Sequence, residues 1–481
     1  MYFLKNLAVV YLIILSNTAF TQNLNPKNYK PLENNSDAKA NSIIKINTQY
    51  KVILQNLPND YKDKYKELYK EMQKDKLTEI EQDAFLFNDD IQIFFDDILL
   101  EVKKANPNIV INDLKIFISK DYAPNAHASL DGTIAFNLSL LAYCENESQV
   151  AFIICHELAH NQLKHAHKSV KKSFDALYSK EAQKAIKEIK KSEYNTYEKA
   201  EAYLKNVVFK SRRHTRDYED EADSMAVKYL QNTRFDATQA VKALLMLDKI
   251  DSLMFTPNFD LGKTFNTPQY PFKKSWIDEE ETLFGKSKRV FDGELDKDSL
   301  KTHPDCKNRA QRVTHALNAY TNKDKKDNPI LSDNYKDLLL KAEFENLIAI
   351  YDADKVDFCL FQTLKSLQKY PNNVFLHALV GQCFNALYEA QKQHIFSKIV
   401  SIPSKDKPKK YLPFLRFLNN MALKDIGLVG FHYLNGLDKS YFGDEFLLYT
   451  MVLAAKNAEQ RAVLSEYKSL YLQFFPKGKY K

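Results

Sequence analysis

Apolar residues recur at three- and four-residue spacing along most of this chain, and one short stretch breaks that rhythm. The clearest stripe is AFLFNDDIQIFFDDILLEVKKANP, residues 84–107, where Ile, Phe, Leu and Val fall on one face of a helix. The break follows at once. In IVINDLKIFISKDYAPNAHASLDGTIAFNLSLL, residues 109–141, short runs of Val, Ile and Phe are interrupted by APNA and LDG. That pattern predicts a small β-sheet with a hairpin at Asp131-Gly132. Helical spacing resumes in IICHELAHNQLKHAH (153–167), in a lysine-rich stretch from about 168 to 214, in DYEDEADSMAVKYLQ (217–231) and in DATQAVKALLMLDKI (236–250). An irregular segment from about 255 to 300 holds most of the mid-chain Pro, Gly and aromatic residues, and THPDCKNRAQRVTHAL (302–317) returns to helix.

Beyond a charged run, NKDKKDNP, residues 334–481 read as entirely helical. There LFQTLKSLQKYPNNVFLHALVGQCFNAL (360–387) resembles about one and a half tetratricopeptide repeats, with Pro371 closing one helix and Gly381 in the next. An unclassified helical bundle fits the same residues. The expected fold class is mainly α with a small β-sheet, followed by an all-α domain resembling helical repeats. The expected divisions are 1–21, a polar and partly helical extension over 22–80, a domain over 81–325, and the helical region 334–481. Residues 22 to 50, rich in Asn and Lys, read as extended or disordered.

At 481 residues two or three domains are expected, and 44% apolar content suffices for real cores. Ten glycines argue against a β-rich chain. The net charge of +7 is spread over mixed lysines and acids, with no basic aromatic face, so nucleic acid is not an expected partner. The opening MYFLKNLAVVYLIILSNTAFTQN reads as an export signal: Lys5, an apolar run from Leu7 to Leu15, then Ala19-Phe20-Thr21 before Gln22. Among the five cysteines, Cys359 and Cys383 are a candidate pair, and Cys155 reads as a buried small hydrophobe.

The candidate chemistry lies in HELAH. His156 and His160 are four apart, so on a helix they differ by about 40° in azimuth and about 6 Å in height. Both imidazoles can reach one cation, and Glu157 is placed to act on a water beside it. An amphipathic helix with partly exposed histidines fits these five residues too, so a third ligand must decide. One known spacing needs Gly at 163 and His at 166, where this chain has Leu163 and Ala166. Another needs Glu near 179, where Ser179 stands. The remaining option is Glu219, with Asp223 four residues on the same face to hold the far nitrogen of a ligand histidine. On a continuous helix His165 points about 180° from His156, and His167 lies roughly 16 Å along the axis, so both are expected at the surface or in packing.

HELAHNQLKH, RDYEDEADSMA and THPDCKNR, together with the strand segment before them, resemble the gluzincin zinc metallopeptidases that include the HtpX heat-shock protease, the CAAX prenyl protease and BepA. The resemblance runs from roughly 90 to 320, with Arg216, Glu219, Ala222 and Asp223 matching one element and Thr302, His303, Pro304 and Arg309 another. His127 and Thr215 depart from the usual residues without removing a ligand. The resemblance implies one zinc per chain on His156, His160 and Glu219, with Glu157 and Asp223 as catalytic groups. It makes His303 a candidate fourth ligand or oxyanion group, and Asn125 and Ala126 candidate substrate-binding positions on a strand edge. With the export signal and helical tail, the BepA-like branch is nearest. The implied function is a periplasmic zinc endopeptidase of unfolded or misassembled envelope proteins, with membrane association and the outer-membrane assembly machinery as further expectations. A chaperone or assembly factor with a latent or little-used protease site is the rival reading.

Overall fold

The computed structural model describes residues 29–109, 115–191, 216–279, 305–318 and 333–478. The export signal and His303 lie outside the described residues, as do Thr302 and Pro304. The protein is mainly helical with one four-stranded sheet. It divides into two compact units that do not follow chain order: Leu32–Ile250 with Leu295–Ala342, and Asp251–Glu294 with Glu343–Lys481 and the N-terminal segment up to Pro31.

In the first unit the elements are α1 (Ser36–Gln55), α2 (Lys62–Glu81), β1 (Phe85–Leu86), α3 (Asp89–Ala105), β2 (Ile116–Ser119), β3 (Ala126–Ala128) and β4 (Ile134–Asn137). There follow α4 (Leu138–Leu141), α5 (Glu147–Gln162), α6 (His165–Tyr178), α7 (Lys180–Lys191), α8 (216–231) and α9 (Gln239–Met254). Asparagine side chains cap three of these helices: Asn35 accepts from Asp37 and Ala38 amides, Asn88 from Ile91, and Asn146 from Gln149. The sheet order is β1-β2-β4-β3, with β2 and β4 parallel and the other pairs antiparallel. β3 is therefore an edge strand. The expected hairpin joins β3 to β4, and Gly132 at φ 86 supplies the left-handed residue of its turn.

Helix α5 is buried on all sides from Ser148 to Ala159, which marks it as a central helix. Ile91, Phe95 and Ile98 of α3, Ile116, Ile118, Ile134 and Phe136 of the sheet, and Ala222, Ala226 and Leu230 of α8 share its core. Cys306, Ala310 and Val313 join them from α11 (Cys306–Asn318), which follows the short α10 (Leu261–Phe265) in the chain. Tyr335 and Leu338, near the start of α12 (Asp333–Asp352), complete that core, and the Tyr335 hydroxyl donates to the Cys144 carbonyl at 3.0 Å.

The stretch expected to be extended over 22–50 is helical from Ser36. Its Asn and Lys residues face water, while Ile46 and Tyr50, four apart, are buried against Tyr65, Tyr69 and Ile80 of α2 and Phe117 of β2. Polar composition concealed a two-residue apolar contact repeated by its partner helix. This pair also clasps the hairpin. Asp131, fully buried, is met by the Lys76 ammonium and by the Tyr50 hydroxyl at 2.9 Å.

The second unit is built from antiparallel helices: α13 (Val356–Lys369), α14 (Val374–Lys392), α15 (Phe396–Ile399), α16 (Leu412–Asn419), α17 (Leu423–Asn435), α18 (Glu445–Asn457) and α19 (Arg461–Phe474). Gly430 is required where α17 crosses α14, since a Cβ there would stand 2.7 Å from Phe384 Cβ. The described part of the irregular segment, 255–279, belongs to this unit. Phe265 sits 5.2 Å from Phe384 and 5.4 Å from Phe417, ring centre to ring centre. All five cysteines are buried free thiols, Cys155 among them, and Cys359 and Cys383 form no disulfide. No helix of the described residues is long and apolar enough to cross a membrane.

The clasp gives a stability test. Lys76→Met strips the cation from a carboxylate with no access to water, which should cost about 3–5 kcal/mol. Chemical denaturation of the variant should show that loss; a change under about 1 kcal/mol would mean Asp131 is satisfied without Lys76.

Candidate metal centre

Two helices supply the donors. α5 carries His156 and His160 one turn apart, and α8 brings Glu219 against them. The Nε2 atoms of the two histidines are 3.0 Å apart, and each lies 3.5 Å from one oxygen of Glu219. Donors about 2 Å from a tetrahedral zinc stand about 3.3 Å from one another, so these separations and this donor set fit zinc. The expected ligands are thus brought together in one cluster, with His156 buried and His160 and Glu219 half-buried.

Asp223, one turn beyond Glu219, places Oδ1 2.9 Å from Nδ1 of His156. The sequence does not reveal what holds Asp223. Arg309 of α11 donates from Nε and Nη2 to the two Asp223 oxygens at 2.7 and 2.8 Å, and its Nη1 is 2.7 Å from Glu219 Oε2. Arg309 is 3% exposed. It appeared in the sequence only as a motif position, and its spacing to the acids carries no hint of a bridge.

Charges in the cluster act on one another strongly. Burial opposes ionisation of Asp223 and Glu219, yet Arg309 and His156 hold both carboxyls below their usual range. Burial also opposes charge on His156, but the two carboxylates prevail and raise it to about 10. His160, half-buried and facing His156, is pushed down to about 3, first by loss of solvent and then by the charge on His156. Glu157 is pushed up to about 7, first by burial, with Glu219 adding to the rise and His156 opposing it. The backbone of Ala128 in β3 lies close to the Glu157 carboxyl and opposes the rise. The residue next to a candidate ligand histidine therefore lies against the edge strand.

The candidate strand positions divide. Asn125 spends its carbonyl inside the sheet, accepting from the Asn137 amide at 3.0 Å, and Ser129 donates to Thr133. By the alternation of an antiparallel pair, the backbone groups of Ala126 and Ala128 point away from β4.

At His165 the assumption of one continuous helix fails, though the residue stays out of the cluster and in packing as expected. The helix that begins at Glu147 ends at Gln162, and Lys164 adopts the left-handed conformation at φ 55 before α6 starts. The chain turns, so His165 is buried beneath His160, with the two Nδ1 atoms 2.9 Å apart. It does not reach the three-donor cluster, but it is no surface residue. His167 bonds the Tyr69 hydroxyl at 3.1 Å.

Residues 97–317 match the family model of Peptidase family M48. No curated protein matches the chain. The M48 match supports a peptidase, and metal-dependent proteolysis is what that family implies. The matched segment contains both histidines, Glu157, Glu219, Asp223 and Arg309.

Two measurements test the centre. Glu219→Ala should lose most bound zinc, and stoichiometric tight zinc in that variant would remove Glu219 from the ligand set. Arg309→Lys keeps the charge but not the fork, so zinc affinity should fall by about 10- to 100-fold in a folded protein. Unchanged affinity by chelator competition would show that the bridge is dispensable.

Proposed function

We propose that the protein is an exported, zinc-dependent endopeptidase that hydrolyses unfolded or misassembled proteins of the cell envelope. The observation that carries this reading is Glu157, buried beside the His156–His160–Glu219 cluster with the backbone of edge strand β3 close to its carboxyl. His156, His160 and Glu219 would hold the metal. Zinc, when bound, supplies Lewis acidity and lowers the pKa of water to about 7.

The chain's own groups do the rest. Glu157 takes the proton of the attacking water on a carboxylate oxygen and returns it to the leaving amine nitrogen. Asp223 Oδ1 stands 2.9 Å from Nδ1 of His156, where it would keep the ring proton on Nδ1 and leave Nε2 free to bind metal. The outward backbone groups of Ala126 offer hydrogen bonds to an extended substrate that adds as a further strand. Recognition through backbone groups is loosely sequence-specific, which suits unfolded substrates. The export signal and the likeness of 360–387 to tetratricopeptide repeats support an envelope location and a BepA-like role, with the helical region engaging substrates or assembly partners and lying outside the chemistry.

Glu157→Gln is the deciding variant. It should retain zinc and lose degradation of an unfolded protein such as casein. Turnover near the wild-type rate in the zinc-loaded variant would sink the reading.

A further inference from the structure

The two histidine ligands are supported differently. His156 meets a carboxylate directly, at Asp223 Oδ1. His160 meets an imidazole: its Nδ1 lies 2.9 Å from Nδ1 of His165, and the Nε2 of His165 lies 3.0 Å from Oε2 of Glu221. We propose that His165 is a positioning residue that relays the Glu221 carboxylate to His160 and thereby selects the tautomer of His160 that can bind metal. The proposal rests on the zinc-site reading above.

What each ring nitrogen can donate fixes the direction of the relay. Nε2 of His160 faces the cluster, so metal binding requires its lone pair there and its proton on Nδ1. That Nδ1–H must then donate to Nδ1 of His165, which accepts. A neutral His165 accepting at Nδ1 carries its proton on Nε2, where Glu221 accepts it. Every group has a partner of the right kind. Reversing the chain would put the His160 proton on Nε2, which blocks the metal. It would also turn the bare Nε2 of His165 toward a carboxylate, leaving two acceptors face to face. Glu221 therefore disfavours the tautomer that cannot bind.

The ring of His165 is held for this task. It stacks on Tyr218, centres 4.3 Å apart and planes within 13°. Tyr218 in turn accepts from the Lys172 ammonium at 2.6 Å. Tyr218 and Glu221 are three apart on α8, the helix that also bears Glu219, so one helix supplies a ligand, the stacking face and the end of the relay. The left-handed Lys164 makes the geometry available by turning the chain back after α5.

The test is zinc affinity, measured by chelator competition on the full chain. His165→Ala should weaken binding by about 10- to 100-fold. Glu221→Ala should weaken it less, and because Glu221 acts only through His165, the double variant should bind like His165→Ala alone. His165→Asn, whose amide oxygen can accept from His160, should recover most of the affinity, whereas His165→Leu, which fills similar space, should not. A role in packing alone predicts the opposite order for Asn and Leu. If His165→Ala does not fold, that Asn and Leu pair decides the matter, and equal affinities overturn the relay. Tight zinc in the wild type with unchanged affinity in His165→Ala, or single losses that multiply in the double variant, also overturn it. A wild type that takes up no zinc overturns the metal reading itself.

Discussion

A guanidinium buried between two carboxylates governs this site. Removing Arg309 from water costs several kcal/mol, and only well-made contacts offset that. It makes three, two to Asp223 and one to Glu219. Those acids do different jobs: Glu219 stands with the histidine donors, and Asp223 approaches the far side of His156. One residue from α11 thus fixes the third donor and the orientation of the first together. The packing of α11 against α5 and α8, through Cys306, Ala310 and Val313, is what keeps the guanidinium there. A shift of that helix would disturb both acids at once.

His160 lies beyond this influence, near the end of α5, where helical order gives out two residues later. A ligand in that position needs its own support. The left-handed turn at Lys164 provides it by placing the first residue of α6 under the imidazole. The same region is braced from the sheet side, since Asn161 donates to the Gly132 carbonyl at 2.8 Å in the hairpin turn clasped by α1 and α2. The N-terminal helices therefore reach the site through the turn that ends β3, and their polar surfaces hide that role.

Legibility in the sequence followed locality. The four-residue spacings of His156 with His160 and of Glu219 with Asp223 are helical facts, so both pairs could be read from the chain. The hairpin was legible because Asp-Gly has one structural use between short apolar runs. The position of His165 was not, because projecting it assumed a continuous helix. Nothing in NQLKH announces a left-handed lysine: no glycine or proline marks the break, and only tertiary packing imposes it. Arg309 failed differently. Its contact with Asp223 spans 86 positions, and no local pattern links an arginine on one helix to an acid on another. Likewise NKDKKDNP has the composition of a linker, yet Tyr335 just beyond it is buried in the core that holds α5.

The placement of Glu157 joins the sheet to the chemistry. A carboxyl buried to this degree is costly to ionise, and its rise to about 7 expresses that cost. Its carboxyl lies close to the backbone of β3, the strand whose outward edge is the proposed substrate platform. The base and the platform are therefore not independent. Ala128 lies close to the Glu157 carboxyl, and Ala126, on the same side of the strand, carries the groups an added strand would pair with. On the proposed reading, a substrate aligned by hydrogen bonds at Ala126 is set in register with the base two residues away. This geometry demands an extended backbone and little else of the polypeptide. A folded protein, whose strands are already paired, cannot offer one without local unfolding. On that same proposed reading, selection for unfolded substrates needs no side-chain pocket, because the edge strand would impose it.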